Sequence, residues 1–224
     1  NYIFIKKYQN NYCLQIDFKN QIFDFGRKIK IGEKSTQNIT KPEDWVVLEC
    51  VNRLLEKGYK PENITLEKVY PAGHGTSGRL DICVTRDDGS EYLLIECKTY
   101  GKEFDKAFTK LNKDGGQLFT YFKFSNKADV IMLYASELKG KEIVYRNEIV
   151  KIEEDYRNGD VKDFYDKWNK LPKNNGVFDS WVNPYNFESR ALKINDLVEI
   201  KQEDSSFIFN SFLEILRHNV VSDK

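Results

Sequence analysis

The stretch that most constrains this chain is Arg79-Leu-Asp-Ile-Cys-Val-Thr-Arg-Asp-Asp-Gly-Ser-Glu-Tyr-Leu-Leu-Ile-Glu-Cys-Lys98. Apolar residues alternate on both sides of an Asp-Gly pair, the pattern of two antiparallel strands, 79–86 and 91–98, closed by a tight turn. With Asp88 and Gly89 as the loop pair, Asp87 faces Ser90, and the register carries Asp81 to a position opposite Glu96. Opposed side chains have Cβ atoms about 4.5–5.5 Å apart, where like charges destabilise a sheet. A divalent cation would relieve that repulsion. Lys98 lies two residues past Glu96 and shares its face. On the other face Leu80, Ile82 and Val84 meet Leu93, Ile95 and Cys97, a core pattern. A longer turn would shift this register.

The residue types point to a definite chemistry. Two hard carboxylates side by side suit Mg²⁺, with Mn²⁺ able to substitute, and the backbone carbonyl of Cys97 offers a further oxygen. A cation held there can bridge to a phosphate oxygen and acidify a bound water. Lys98 would orient that water or stabilise charge developing on phosphorus. The implied reaction is metal-assisted hydrolysis of a phosphodiester. The tripeptide by itself is a weak signal, since Glu137-Leu-Lys139 repeats it without an acid on a partner strand.

Composition narrows the partners. Lys plus Arg and Asp plus Glu both number 35, so a nucleic acid would have to be held by a local basic patch rather than by net charge. No run approaches the roughly 18 apolar residues of a membrane span and no signal peptide is visible, so a cytoplasmic location without membrane association is expected. Cys13, Cys50, Cys83 and Cys97 stand singly inside apolar runs and read as buried free thiols. The chain starts without Met and stops just past a helical pattern, as expected of part of something longer.

Residues 2–8, 12–18 and 21–25 are short, aromatic and β-branched, and predict a small antiparallel meander. Gly32 to Ile39 reads as a polar connection. Thr40 reads as the N-cap of a helix that begins at Pro42, carries Trp45, Val46, Leu48, Cys50, Val51, Leu54 and Leu55 at helical spacing, and stops at Gly58. Glu49 in mid-helix is either a solvated carboxylate or a further acid aimed at the metal site. Ile64 to Tyr70 is a strand. The Gly-rich loop 71–78 follows, with His74 as a loop residue or a catalyst and Arg79 as a phosphate contact. A helix from Glu103 to Lys113 aligns Lys102, Lys106, Lys110 and Lys113, either a solvated face or a DNA backbone track. Gln117 and Tyr121, four apart on a second helix, share a face. A buried strand at 129–134 and a short pair near 142–152 complete the core, followed by a mainly helical stretch to residue 224.

Asp81, fourteen intervening residues and Glu96-Cys-Lys98 resemble the PD-(D/E)XK nuclease motif, with Leu80 where the proline would stand. Gln117-x-x-x-Tyr121 resembles the QxxxY motif that follows the lysine in some members. Together they look most like the nuclease domain at the N-terminus of type I restriction enzyme motor subunits. The resemblance implies an α/β, restriction-endonuclease-like core with a mixed central sheet flanked by helices, and Mg²⁺-dependent cleavage of double-stranded DNA. It implies that Asp81, Glu96 and the Cys97 carbonyl bind metal and that Lys98 is catalytic. It makes Glu49 the extra helix acid of some relatives, and Gln117 and Tyr121 supports of DNA or site geometry, beside Arg79 and Lys102 on the substrate. Trp181-Val-Asn-Pro-Tyr185 and the stretch from Leu216 to Lys224 are similar to segments leading into N6-adenine DNA methyltransferase domains. Methyltransferase and specificity domains or subunits are therefore expected partners, in a restriction–modification enzyme. No methyltransferase activity is expected within these residues. The expected layout is a meander over 1–38, a nuclease core over 39–152 and an extension over 153–224. The competing reading is a catalytically silent nuclease-like module that binds DNA or docks subunits.

Overall fold

The computed structural model describes residues 2–8, 11–32, 37–70, 78–125 and 128–151. The loop containing His74 and the extension from 153 onward lie outside them. Strands β1 (Ile3–Lys7), β2 (Cys13–Asp17) and β3 (Ile22–Asp24) form the expected antiparallel meander. Six further strands form one mixed sheet. In chain order they are β4 (Lys30–Ile31), β5 (Ile64–Tyr70), β6 (Gly78–Thr85), β7 (Glu91–Cys97), β8 (Val130–Lys139) and β9 (Glu142–Lys151), and their spatial order is the same. The β4–β5 and β7–β8 pairs are parallel and the rest antiparallel. Each parallel pair needs a crossover. Helix α1 (Pro42–Glu56) makes the first, and α2 (Lys102–Asp114) with α3 (Gly116–Phe124) makes the second. This is an α/β architecture of the restriction-endonuclease-like kind. Among the described residues no helix is long and apolar enough to cross a membrane.

Strand alternation sorts the central sheet between two helical layers. Leu94, Ile131, Leu133 and Val150 join Phe104, Leu111, Leu118 and Phe122 of α2 and α3 in one buried cluster. Residues of the other parity turn to α1. Tyr134 meets Arg53 there, and Cys97 lies against Cys50. Both faces are covered, so β7 reads as a nearly continuous buried run from Leu93 to Cys97. The four cysteines are free thiols.

Three local expectations differ from the structure. The hairpin loop is one residue longer than a two-residue turn. Arg86, not Asp87, faces Ser90, with Gly89 at φ +81° in the left-handed region. A β-bulge between Val84 and Thr85 cancels the slip, so Ile82 still pairs with Ile95. The residue before α1's first turn is Lys41 rather than Thr40, whose hydroxyl donates instead to Asn38. A sheet contact that the local pattern does not announce lies just ahead of the polar connection. β4 pairs with β5, and the Gly32 N–H donates to the Leu66 carbonyl at 2.9 Å.

Gly32 is required there by close approach. A Cβ at this position would lie 2.1 Å from the Glu67 carbonyl oxygen, a clash between backbones that no rotamer relieves. Gly32→Ala is expected to push β4 off β5 and cost about 1–3 kcal/mol. Urea unfolding of both proteins checks this, and an unchanged midpoint would show that the edge strand yields freely.

Candidate active site

The site forms where β6 and β7 part. Their backbone pairing ends at Ile82 and Ile95. Beyond it the Asp81 carboxylate accepts the Cys97 N–H at 2.6 Å, so a side chain takes over a strand's acceptor. A cavity of about 490 Å³ opens at this end of the sheet. Asp81, Glu96, Lys98, Arg79, Gln117 and Tyr121, all singled out above, line it together.

Lys98 is the hub. Its ammonium donates to Glu96 Oε1 at 2.7 Å, to the Cys97 carbonyl at 2.8 Å and to Glu43 Oε1 at 3.1 Å. An ammonium has three donors, and all three are engaged. Its own N–H donates to the Tyr134 carbonyl, continuing the β7–β8 ladder past the strand end. Burial would lower the Lys98 pKa, but the carboxylates of Glu96, Asp81 and Glu43 more than offset this and hold it protonated. Asp81 is pushed well above the usual carboxylate range, first by burial and then by the charge of Glu96. Burial raises Glu96 too, with Lys98 pulling the other way.

Glu96 is 3% exposed, and among the described residues its Oε2 has no hydrogen-bond partner. A buried carboxylate oxygen left alone is costly unless it meets a donor or a cation. Among the described residues no three His, Cys, Asp or Glu side chains are gathered closely enough to hold a metal alone. Mg²⁺ does not ask for that, since it is held through one or two carboxylates and keeps water and phosphate for the rest. The donor set of Asp81, Glu96 and the Cys97 carbonyl therefore fits it.

Tyr121 secures the site from α3. Its hydroxyl donates to the Arg79 carbonyl, and burial followed by the charges of Glu96 and Asp81 raises its pKa, which keeps it a donor. Its ring also lies against Gly78, where a Cβ would come within 3.2 Å.

Two singled-out residues lie elsewhere. Glu49 accepts from the Tyr134 hydroxyl and lines a separate, largely apolar cavity with Trp45, Tyr100 and Leu138. Burial raises its pKa, against the Tyr134 hydrogen bond. The acid that α1 delivers to Lys98 is Glu43 in its first turn, six positions earlier and on another side of the helix. Lys102 opens α2, is exposed and is not among the cavity's lining residues. On the same helix Lys106 pairs with Glu103, so one charge of the lysine face is neutralised. Glu137 and Lys139 pair with each other at 3.5 Å on the exposed end of β8. The cavity also contains Lys41 and Glu67, which nothing in their local sequence marked.

The mixed sheet flanked by helices is consistent with a restriction-endonuclease-like fold. Residues 42–149 match the family model described as the type I restriction enzyme R protein N terminus. The match runs from the first residue of α1 into β9 and contains every residue of the cavity except Lys41. It supports a nuclease-type domain of a restriction enzyme over that span. No curated protein matches the chain.

Proposed function

We propose that this chain is a Mg²⁺-dependent DNA endonuclease domain of a restriction–modification enzyme. The observation that carries the reading is the buried Glu96, whose Oε2 has no hydrogen-bond partner among the described residues, beside Asp81 and a protonated Lys98 in one open cavity. Asp81, Glu96 and the Cys97 carbonyl would hold the metal. When bound, it would supply Lewis-acid polarisation of a phosphate oxygen and a more acidic water. The chain's own residues do the rest. Lys98 holds a positive charge at the cavity floor, where it can meet negative charge developing on phosphorus. The Cys97 carbonyl, which accepts from the Lys98 ammonium, would offer a metal its second lone pair, and Glu43 and Glu96 hold the ammonium in place. Tyr121 fixes the strand that carries Asp81. Double-stranded DNA is the substrate, and further restriction–modification subunits are the partners.

Calorimetry with Mg²⁺ and Mn²⁺ tests the cation site on the wild type and on Asp81→Asn. Binding by the wild type and its loss in the variant are expected. Equal binding by both would remove the metal from this hairpin.

A further inference from the structure

We infer that Glu67 is a positioning residue that holds Arg79 at the cavity mouth as the phosphate-binding arginine of the site. The inference rests on the reading of the substrate as a nucleic acid. Its starting point is a backbone outlier. Glu67 has φ +50° in the middle of β5, a conformation that residues bearing a side chain rarely adopt. Such outliers persist only where their surroundings over-determine them, and they concentrate at functional sites. Here the surroundings are visible. Leu66 pairs with Ile82 and Lys68 with Leu80, which brackets Glu67 at the level of Asp81. Gly32 presses on the Glu67 carbonyl from the other side, at a distance only glycine allows.

The result is a carboxylate buried to 7% exposure that faces the cavity. It forms an ion pair with Arg79, whose Nε lies 3.4 Å from Glu67 Oε2 while the arginine side chain stays 44% exposed. One end of the pair is fixed in the sheet and the other reaches solvent. Arg79 is anchored a second time, since its backbone carbonyl accepts from Tyr121. Electrostatics gives the arrangement a purpose. The cavity lining carries Glu43, Asp44, Glu67, Asp81 and Glu96 against Lys41, Arg79 and Lys98. Lys98 is committed to its two carboxylates, so a polyanion approaching this excess of acid needs a cation placed at the entrance. A guanidinium oriented through its Nε presents the planar fork that suits a phosphate.

The test uses the full chain, a short fluorescein-labelled duplex with Ca²⁺ in place of Mg²⁺, and anisotropy across a salt series. Separate calorimetry with Mg²⁺ is run without DNA. Arg79→Ala is expected to weaken DNA binding about tenfold and to lower the salt slope by about one. Glu67→Gln is expected to weaken it several-fold, the double variant to be no weaker than Arg79→Ala, and Mg²⁺ affinity to be unchanged in all three. Glu67→Asp, which keeps the charge but shortens the reach, serves if Glu67→Gln does not fold, and should give an intermediate loss. Loss of Mg²⁺ affinity in Glu67→Gln would make Glu67 a cation ligand and overturn the inference. Unchanged DNA affinity, or effects that add to those of Arg79→Ala, would overturn it as well. A wild type with no salt-dependent DNA binding would remove the phosphate role of Arg79. The cation-site reading is judged separately, by wild-type Mg²⁺ binding and its loss in Asp81→Asn.

Discussion

Lys98→Ala is expected to reduce DNA cleavage in Mg²⁺ or Mn²⁺ by at least about a hundredfold, the usual scale for deleting one preorganised charge stabiliser. The reason lies in how completely the side chain is committed. It is 16% exposed, and its three donors point at Glu96, Glu43 and the Cys97 carbonyl. The fold should survive. Truncation leaves Glu96 buried without its cation, but Glu96 can take up a proton, a direction in which burial already pushes it. An unchanged far-UV circular dichroism spectrum with lost nicking and cleavage of a supercoiled plasmid is the expected pair of results. Retained cleavage by a purified Lys98→Ala protein would sink the proposed function.

Asp81→Asn should abolish cation binding and, without metal, make the protein more stable by about 1–2 kcal/mol. The wild-type carboxylate is buried beside Glu96, and both effects raise its pKa. A carboxyl whose folded pKa lies above its unfolded one takes up a proton on folding. Its ionised form therefore costs stability at every pH above the folded value, and the cost fades as pH falls toward the usual carboxylate range. Asparagine avoids that cost and keeps an oxygen for the Cys97 N–H. The advantage of the variant should be largest near pH 8 and small near pH 4. At this chain length 1 kcal/mol moves Tm by about 2–4 °C, so differential scanning fluorimetry at several pH values resolves it. Added Mg²⁺ should raise the wild-type Tm and leave the variant's unchanged. A variant less stable than the wild type at pH 8 would mean that the Asp81 hydrogen bond outweighs the repulsion.

The hairpin shows how far local pattern reaches. Alternation and the Asp-Gly pair located β6 and β7, and Glu96 and Lys98 share a face because they are two residues apart on one strand. The turn is a residue longer than expected, yet the bulge at Val84 and Thr85 restores the expected Ile82–Ile95 pairing, after which the strands part and Asp81 accepts from the Cys97 N–H. The apolar spacing of α1 and the aromatic strands of the meander were legible for the same reason, since periodicity is a property of neighbours. Gln117 and Tyr121 were legible as a pair on one face, but not that Tyr121 would clamp the Arg79 carbonyl.

Contacts set by chain crossings were not legible. Glu43 and Glu49 are both acids of α1, and periodicity does not say which end of the helix stops beside β7. The parallel β4–β5 crossover decides it, and it turns Glu49 to Tyr134 instead. Lys102 is near Lys98 in sequence, but it stays outside the cavity once α2 starts. Glu67 carried no signal at all, because its place depends on the β5–β6 register and on Gly32, thirty-five positions away. Short-range repeat and turn chemistry governs most of the elements and the convergence of Asp81, Glu96 and Lys98, which is why these were legible in the chain alone. Which further charges join that set, namely Glu43, Lys41 and Glu67, was settled by the packing of the fold. Their approach depends on which helices cross the sheet and which backbones can touch.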